Sequence, residues 1–262
     1  MGHIYNVFKK VAYKVLHLVT MGNGVPVQIN NFKLKLPTKY FRLFPKDYEQ
    51  SSFEFFKKHA KPGGTILDIG AHIGLYSVFF SKLTNGKVYS FEPTPSTLTV
   101  LRKTIQVNKC EKNVTVIPAA VAETPGMATF YSNDIDVSTS NSLVNIDLGA
   151  NIKRQGAYEV QVLSIDSFRL QHNLKIDFLK IDAEGVELEV LQGARVTFMQ
   201  DRPFAILGLH PFAYKNIQET LLKIWDILTA YHLNIKIAGK DITKEEFCNV
   251  DENVFDVELL PQ

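Results

Sequence analysis

The sequence predicts an α/β fold, built on a mostly parallel sheet with helices on both faces. Two observations carry that expectation. Short apolar strands recur at 65–69, 87–91, 114–118, 177–181, 203–209 and 233–237, mostly separated by helical stretches; alternation of this kind gives a sheet buried on both sides. The strand TILDI also runs straight into GAHIG and an apolar helix, and turns of that kind place ligands at the carboxyl edge of an open sheet.

Composition narrows the class. The chain has 262 residues, 45% hydrophobic and 21% charged, enough for one large core. Lys and Arg number 29 against 27 Asp and Glu, a net charge of +2, which argues against a nucleic-acid partner. Cys110 and Cys248 fit neither a disulfide framework nor a metal-binding pair. A reducing cytoplasm is therefore the expected location.

Taken in order, the elements read as follows. In IYNVFKKVAYKVLHLVT, Ile4, Val7, Phe8, Val11, Val15, Leu18 and Val19 recur at helical spacing, and Lys9, Lys10 and Lys14 make the other side basic. Lys14 splits the apolar run, so the helix is expected to pack on the domain or on a second copy of the chain, as in a homodimer. Contact with a membrane surface is the lesser alternative. VPVQI-NN-FKLKLP (25–37) is a hairpin with Asn30-Asn31 as its turn. Residues 1–45 thus form an N-terminal extension and 46–262 the main domain. DYEQSSFEFFKKHAKPGG reads as a helix ended by Pro62-Gly63-Gly64. Between 126 and 164, two strands flank a polar loop at 132–157, the length of a lid or binding segment. TKEE (243–246) is a capping box, and VFDVELL (254–260) alternates as an antiparallel strand does.

The glycine turn and the strand after it point to a nucleotide. Gly70 allows a tight turn and close approach of a ligand, and Gly74 lets the next helix start near it. A dinucleotide fingerprint needs a glycine between these two, where Ala71-His72 stands instead, and no Gly-Lys-Ser/Thr loop is present. The second strand ends in Glu92, 18 residues beyond Gly74, placed to accept hydrogen bonds from both ribose hydroxyls of an adenosine. A glycine turn without phosphate chemistry and a ribose-gripping acid suit S-adenosylmethionine. Asp68 would orient the turn or meet the ligand's amino group, and His72 would touch its carboxylate. Ala119, Ala120 and Val121 are small and apolar where an adenine ring needs a flat slot.

ILDIGAHIGLYS, VYSFEP and IDFLKIDAEGVELEVLQGA together resemble the FkbM-type methyltransferases, a branch of the class I S-adenosylmethionine-dependent enzymes. The resemblance covers roughly residues 45 to 212 and includes DYE, which brings Glu49 to the site. It implies a Rossmann-like, seven-stranded sheet in the order 3-2-1-4-5-7-6, with the last inserted strand antiparallel. It also implies methyl transfer to a hydroxyl of a sugar, glycan or glycosylated natural product. One departure stands out: AILGLHP has Gly208 where family members often carry a Glu.

Methyl transfer from a sulfonium asks the protein to align the acceptor oxygen and receive a proton. Lys180 and Asp182 lie two apart on one strand and face the same side, as a structural ion pair or as part of the acceptor site. Glu184 follows at a turn, and His210 ends the fifth strand; with Lys180 and Asp182 they form the expected catalytic set. Glu187 and Glu189 read as a solvated helix face. Asp182, Glu184 and His210 could together ligate a divalent metal, but their spacing fixes no geometry and no metal is assigned to them. Ser140, Asn141 and Ser142 in the long loop offer hydroxyls and an amide to a polyhydroxylated acceptor, beside Glu49. Two rivals stay open: a nicotinamide-dependent oxidoreductase on a similar sheet, and a cofactor-binding module without turnover.

Overall fold

The computed structural model describes residues 13–16, 18–132, 142–143, 156–250 and 253–262. Its hairpin pairs β1 (Val25–Ile29) with β2 (Phe32–Leu36). Asn30 and Asn31 both take positive φ, 48° and 63°, the conformation a two-residue turn needs to match strand twist.

The remaining strands are β3 (Thr65–Ile69), β4 (Lys87–Phe91), β5 (Val114–Ile117), β6 (Ala120–Val121), β7 (Gly126–Ser132), β8 (Gly156–Leu163), β9 (Phe178–Asp182), β10 (Phe204–Leu209), β11 (Leu233–Ile237), β12 (Lys240–Asp241) and β13 (Phe255–Pro261). The main sheet runs β12-β11-β13-β10-β9-β3-β4-β5. From β5 to β11 this is the expected 3-2-1-4-5-7-6 order, with β13 antiparallel to both neighbours. The difference is an eighth strand: two-residue β12 folds back on the edge through Ala238 and Gly239, both at positive φ. The segments flanking the long loop, β7 and β8, pair with each other in a separate small sheet with β6.

Period-two alternation sorts the central strands between two cores. Leu67, Leu179 and Leu207 face a largely aliphatic core shared with several helices, while Ile66, Phe178 and Ile206 face an aromatic core. The helix Gln50–His59 contributes Phe53, Phe55 and Phe56 to the aromatic side. Phe56 meets Phe178 edge-on at 4.8 Å, and hairpin residue Phe32 meets Phe79 at 5.1 Å; each such pair adds about 1 kcal/mol beyond burial. On this same aromatic face, at the strand ends, stand Asp68, Lys180, Asp182, Gly208 and Asp256. Their register is fixed: Asp68 lies beside Lys180, Asp182 beside Gly208, and Gly208 beside Asp256. Sheet topology thus lines up charged residues separated by up to 188 positions in sequence. Among the described residues, no helix is long and apolar enough to cross a membrane.

Candidate active site

A cavity of about 490 Å³ opens over the carboxyl ends of β3, β4, β9 and β10. One end is built by residues 68–73 and 91–94 together with Ala119, Ala120 and Val121. Gly70 takes φ +75°, and a Cβ there would collide with the carbonyl of Asp182; only glycine lets the ends of β3 and β9 come this close. The N–H groups of Gly70 and Ala71 both donate to the Phe91 carbonyl, at 3.1 and 2.9 Å. The turn is thereby tied to β4, and the next residue, Glu92, is fixed in place. His72 N–H donates to Glu92 Oε2 at 3.1 Å, and Thr94 N–H donates to Oε1 at 2.8 Å. The Thr94 side chain also hydrogen-bonds this carboxylate. Burial pushes the Glu92 carboxyl up to about 7 against these amides.

Asp68 is fully buried and receives the Ser77 hydroxyl on Oδ2 at 2.6 Å; Ser90 in turn donates to Ser77 at 2.8 Å. Its other oxygen, Oδ1, has no hydrogen-bond partner, although a buried polar atom is costly to leave unpaired. His72 takes φ 48°, and its Nε2 is likewise without a partner. Burial lowers its pKa to about 4, so the ring is neutral at physiological pH. These orphaned atoms on the cavity wall, with the clamped Glu92 and the small Ala119–Val121 strip, fit an adenosyl ligand bearing ribose hydroxyls and an amino acid end. Gly74 is placed elsewhere than expected. It does not line the cavity, and a Cβ on it would press on Leu101 Cδ1 at 2.6 Å. Its role is helix packing.

The other end is assembled from distant segments. Lys180 is buried, and its Nζ lies 2.7 Å from Asp182 Oδ2 and 4.9 Å from the centre of the Tyr76 ring. Burial works against its charge, but Asp182, Glu49 and Asp68 outweigh it and keep the lysine protonated. For Asp182, burial opposes ionisation, while Lys180 and His210 hold the carboxyl below its ordinary range. Glu49 caps the helix Gln50–His59 at φ 44° and lines the cavity, with Oε2 buried and unpaired. Burial raises its pKa; Lys180 opposes this, and Asp256 and Asp182 add to it. Tyr76 Oη is also buried on this wall without a hydrogen bond.

Glu184 and His210 face each other across the turn after β9. His210, 5% exposed, has Nε2 3.4 Å from Asp182 Oδ1 and 3.6 Å from Glu184 Oε1. Burial alone would depress the imidazole, yet Glu187, Asp182 and Glu184 together lift it to about 9. Burial raises Glu184 to about 8; His210 works against this, and Asp182 and Glu187 reinforce it. Asp182, Glu184 and His210 offer atoms within 4.8 Å of one another, close enough for a divalent cation. Lys180 already supplies positive charge to this group, and we assign no metal there.

The structure therefore brings Asp68, Gly70, His72, Glu92, Ala120, Val121, Glu49, Lys180, Asp182, Glu184 and His210 to one cavity. Ser142 serves differently from expectation, because its hydroxyl donates to the Glu184 carbonyl at 2.6 Å and its backbone pairs with Tyr131. It ties residue 142 to the turn after β9 and does not line the cavity. Ser140 and Asn141 lie outside the described residues. Glu187 corrects the sequence reading: it is not on a solvated face but wholly buried, bonded to His210 Nδ1 at 2.8 Å. Asp256 was also missed. Its Oδ2 receives the Ser52 hydroxyl at 2.5 Å, and its Oδ1 lies 3.3 Å from where a Cβ on Gly208 would stand. A carboxylate absent from position 208 is thus provided by the neighbouring strand. The DVE of the last strand was the available signal, but only its pairing with β10 shows which way Asp256 serves.

Known proteins agree with this architecture. The chain is 28% identical over 149 residues to Methyltransferase 1 of Beauveria bassiana, covering 49% of this chain and 57% of that protein. It is 27% identical over 163 residues to the hexuronic acid methyltransferase AglP of Haloferax volcanii, covering 62% of each. These matches thus span about three fifths of the relatives' lengths. The crystal structure of methyltransferase FkbM from Methylobacillus flagellatus superposes with a TM-score of 0.50 at 17% identity, over 85% of this chain and 54% of that one, a likeness of fold. The model of the methyltransferase FkbM domain matches residues 68–234, from the buried aspartate of β3 to the start of β11, and on that match the chain belongs to the FkbM methyltransferase family.

Proposed function

We propose that the chain is an S-adenosylmethionine-dependent O-methyltransferase whose acceptor is a hydroxyl of a sugar, glycan or glycosylated natural product. One observation carries the reading. A single cavity has an adenosine-type wall at Glu92 and Asp68 and, facing it, a buried histidine among carboxylates. The hexuronic acid methyltransferase among its relatives supports the sugar class.

The bound cofactor would supply a methyl group already activated on sulfonium. The protein's own work is to hold two molecules in line and to receive a proton. Glu92 would accept the ribose hydroxyls, Asp68 Oδ1 the ammonium group, and Ala119–Val121 the adenine face. His72, neutral, would hydrogen-bond the carboxylate end. Glu49 and Asp256 would grip acceptor hydroxyls, and His210 Nε2, in the deprotonated form that gains weight as pH rises toward about 9, would take the proton of the hydroxyl that is methylated. Asp182, held by Lys180, sets a negative charge beside the imidazolium so formed. The cytoplasm is the location this reading entails.

The test is calorimetric. S-adenosylhomocysteine titrated into the wild type should bind at micromolar strength, about −8 kcal/mol. Glu92→Ala should lose about 3 kcal/mol, the value of hydrogen bonds to a charged acceptor. Labelled methyl transfer to a panel of neutral hexosides and uronates would then identify the acceptor. Wild-type silence toward S-adenosylhomocysteine would sink the reading.

A further inference from the structure

We propose that Glu187 is the positioning residue of this site: it holds the His210 ring with the Nδ1 hydrogen buried and turns Nε2 to the cavity as proton acceptor. The role of that proton rests on the transferase reading above; the arrangement of the ring does not.

Glu187 opens the helix Glu187–Gln192 and is 0% exposed. Among the described residues, its ionic partner is His210. Its carboxylate is met from three sides. Gly185 N–H donates to Oε1 at 2.9 Å, Tyr214 Oη donates to Oε2 at 2.7 Å, and His210 Nδ1 lies 2.8 Å from Oε1. A backbone N–H can only donate, so Oε1 is an acceptor there. Nδ1 shares that oxygen and must bring its hydrogen to it. A ring so committed leaves Nε2 as the nitrogen that gains and loses a proton.

The ring cannot easily turn over. A flip would set the unprotonated nitrogen against a buried carboxylate and leave the carboxylate one donor short, a cost of the kind reserved for unpaired buried charge. Nε2 meanwhile faces Asp182 Oδ1 and Glu184 Oε1, and all three residues line the cavity. A pair that merely braced the loop would have no need to present this nitrogen to a ligand. In the reaction, the acceptor oxygen's lone pair forms the bond to the methyl carbon, and the methyl–sulfur bonding pair stays on sulfur. The hydroxyl proton passes to Nε2. Charges and atoms balance with no further reactant, and the imidazolium formed lies against Glu187.

The groups facing His210 are Asp182 from β9, Glu184 from the turn, Glu187 and Tyr214 from the elements behind, and Asp256 from β13. Of the carboxylates, Glu187 contributes most to the rise of the imidazole to about 9.

The experiment is nitrogen-15 histidine NMR of the full chain saturated with S-adenosylhomocysteine, in wild type and Glu187→Gln. Expected for the wild type is a midpoint above the ordinary histidine value and, above that midpoint, a neutral ring with its hydrogen on Nδ1. In Glu187→Gln the His210 midpoint should fall by at least about one pH unit, a tenfold loss of proton affinity, and the neutral tautomer should shift toward Nε2–H. Glu187→Asp should recover part of both changes. An unaltered midpoint and tautomer in Glu187→Gln would overturn the proposal. If that variant does not fold, Tyr214→Phe decides: removing a competing donor makes Glu187 a stronger acceptor for Nδ1, so the midpoint rises, and a fall or no change refutes the role. Failure of the transferase reading looks different, as absent S-adenosylhomocysteine binding with the His210 titration intact.

Discussion

At one end of the cavity, carboxylates are held by the backbone and by hydroxyls; at the other, such bonds are joined by the counter-charges of Lys180 and His210. Glu92 is clamped by two backbone N–H groups and Asp68 by a serine, all within residues 68–94. Glu49, Asp182, Glu184, Glu187 and Asp256 converge from separate segments, and Lys180 and His210 are the positive side chains among them. A backbone donor keeps its place when a neighbouring side chain changes, whereas removing one member of a buried charge set leaves the others uncompensated. The first end should therefore answer to mutation chiefly in affinity. The second should answer in turnover, stability and pH dependence together.

The contrast is broken most directly at His210. His210→Ala should lower methyl transfer about 10³-fold, the size of a lost proton acceptor, while calorimetry with S-adenosylhomocysteine stays at the wild-type affinity. Equal loss of both would erase the distinction between the ends. Next in size is Lys180→Met. Stripping the cation from Asp182 and Asp68 should cost roughly 3 kcal/mol, read as a Tm lower by roughly 6–12 °C. Ser77→Ala, its counterpart at the first end, removes one hydrogen bond to Asp68 and should cost only about 1 kcal/mol.

The comparison extends to the slope of stability with pH in the ligand-free protein. Asp68, Glu92 and Glu184 rise on folding to about 6, 7 and 8, because burial penalises their charged forms. Between their unfolded and folded values, the folded chain binds more protons than the unfolded one, so stability falls as pH rises. His210 adds in the same direction: its contribution is whole below its unfolded value and is lost as pH climbs through about 9. Thermal unfolding should thus occur at higher temperature near about pH 5.5 than near about pH 8.5. Glu184→Gln should flatten that slope, and a steeper or unchanged slope would show that the far end does not carry the charge burden described here.

These same two ends mark how far the sequence could be read. The first was legible because its chemistry is local. A strand, a turn needing positive φ at Gly70 and an acid at the end of the next strand all fall within one short unit, and period-two and helical patterns report such units directly. Gly74 is the exception: its partner, Leu101, lies on another helix, so a packing glycine looked like a ligand glycine. At the far end, Asp182, Glu184 and His210 were found because they stand at strand ends. Glu187 and Asp256 were not, since each is defined by a partner elsewhere: His210 for the one, Gly208 across β10 and β13 for the other.

The sequence by itself determined the strand rhythm, the hairpin turn at Asn30-Asn31, the glycine turn after β3 and the acid after β4, because each is dictated by bonds and dihedral preferences between near neighbours. Only the tertiary structure decided that a glutamate in a polar-looking helix turn is wholly buried behind His210, and that an aspartate near the C-terminus fills the space left by a glycine. Burial and hydrogen-bond partners are properties of the packed chain, and a side chain's charge acquires its chemical meaning only when the fold has chosen what surrounds it.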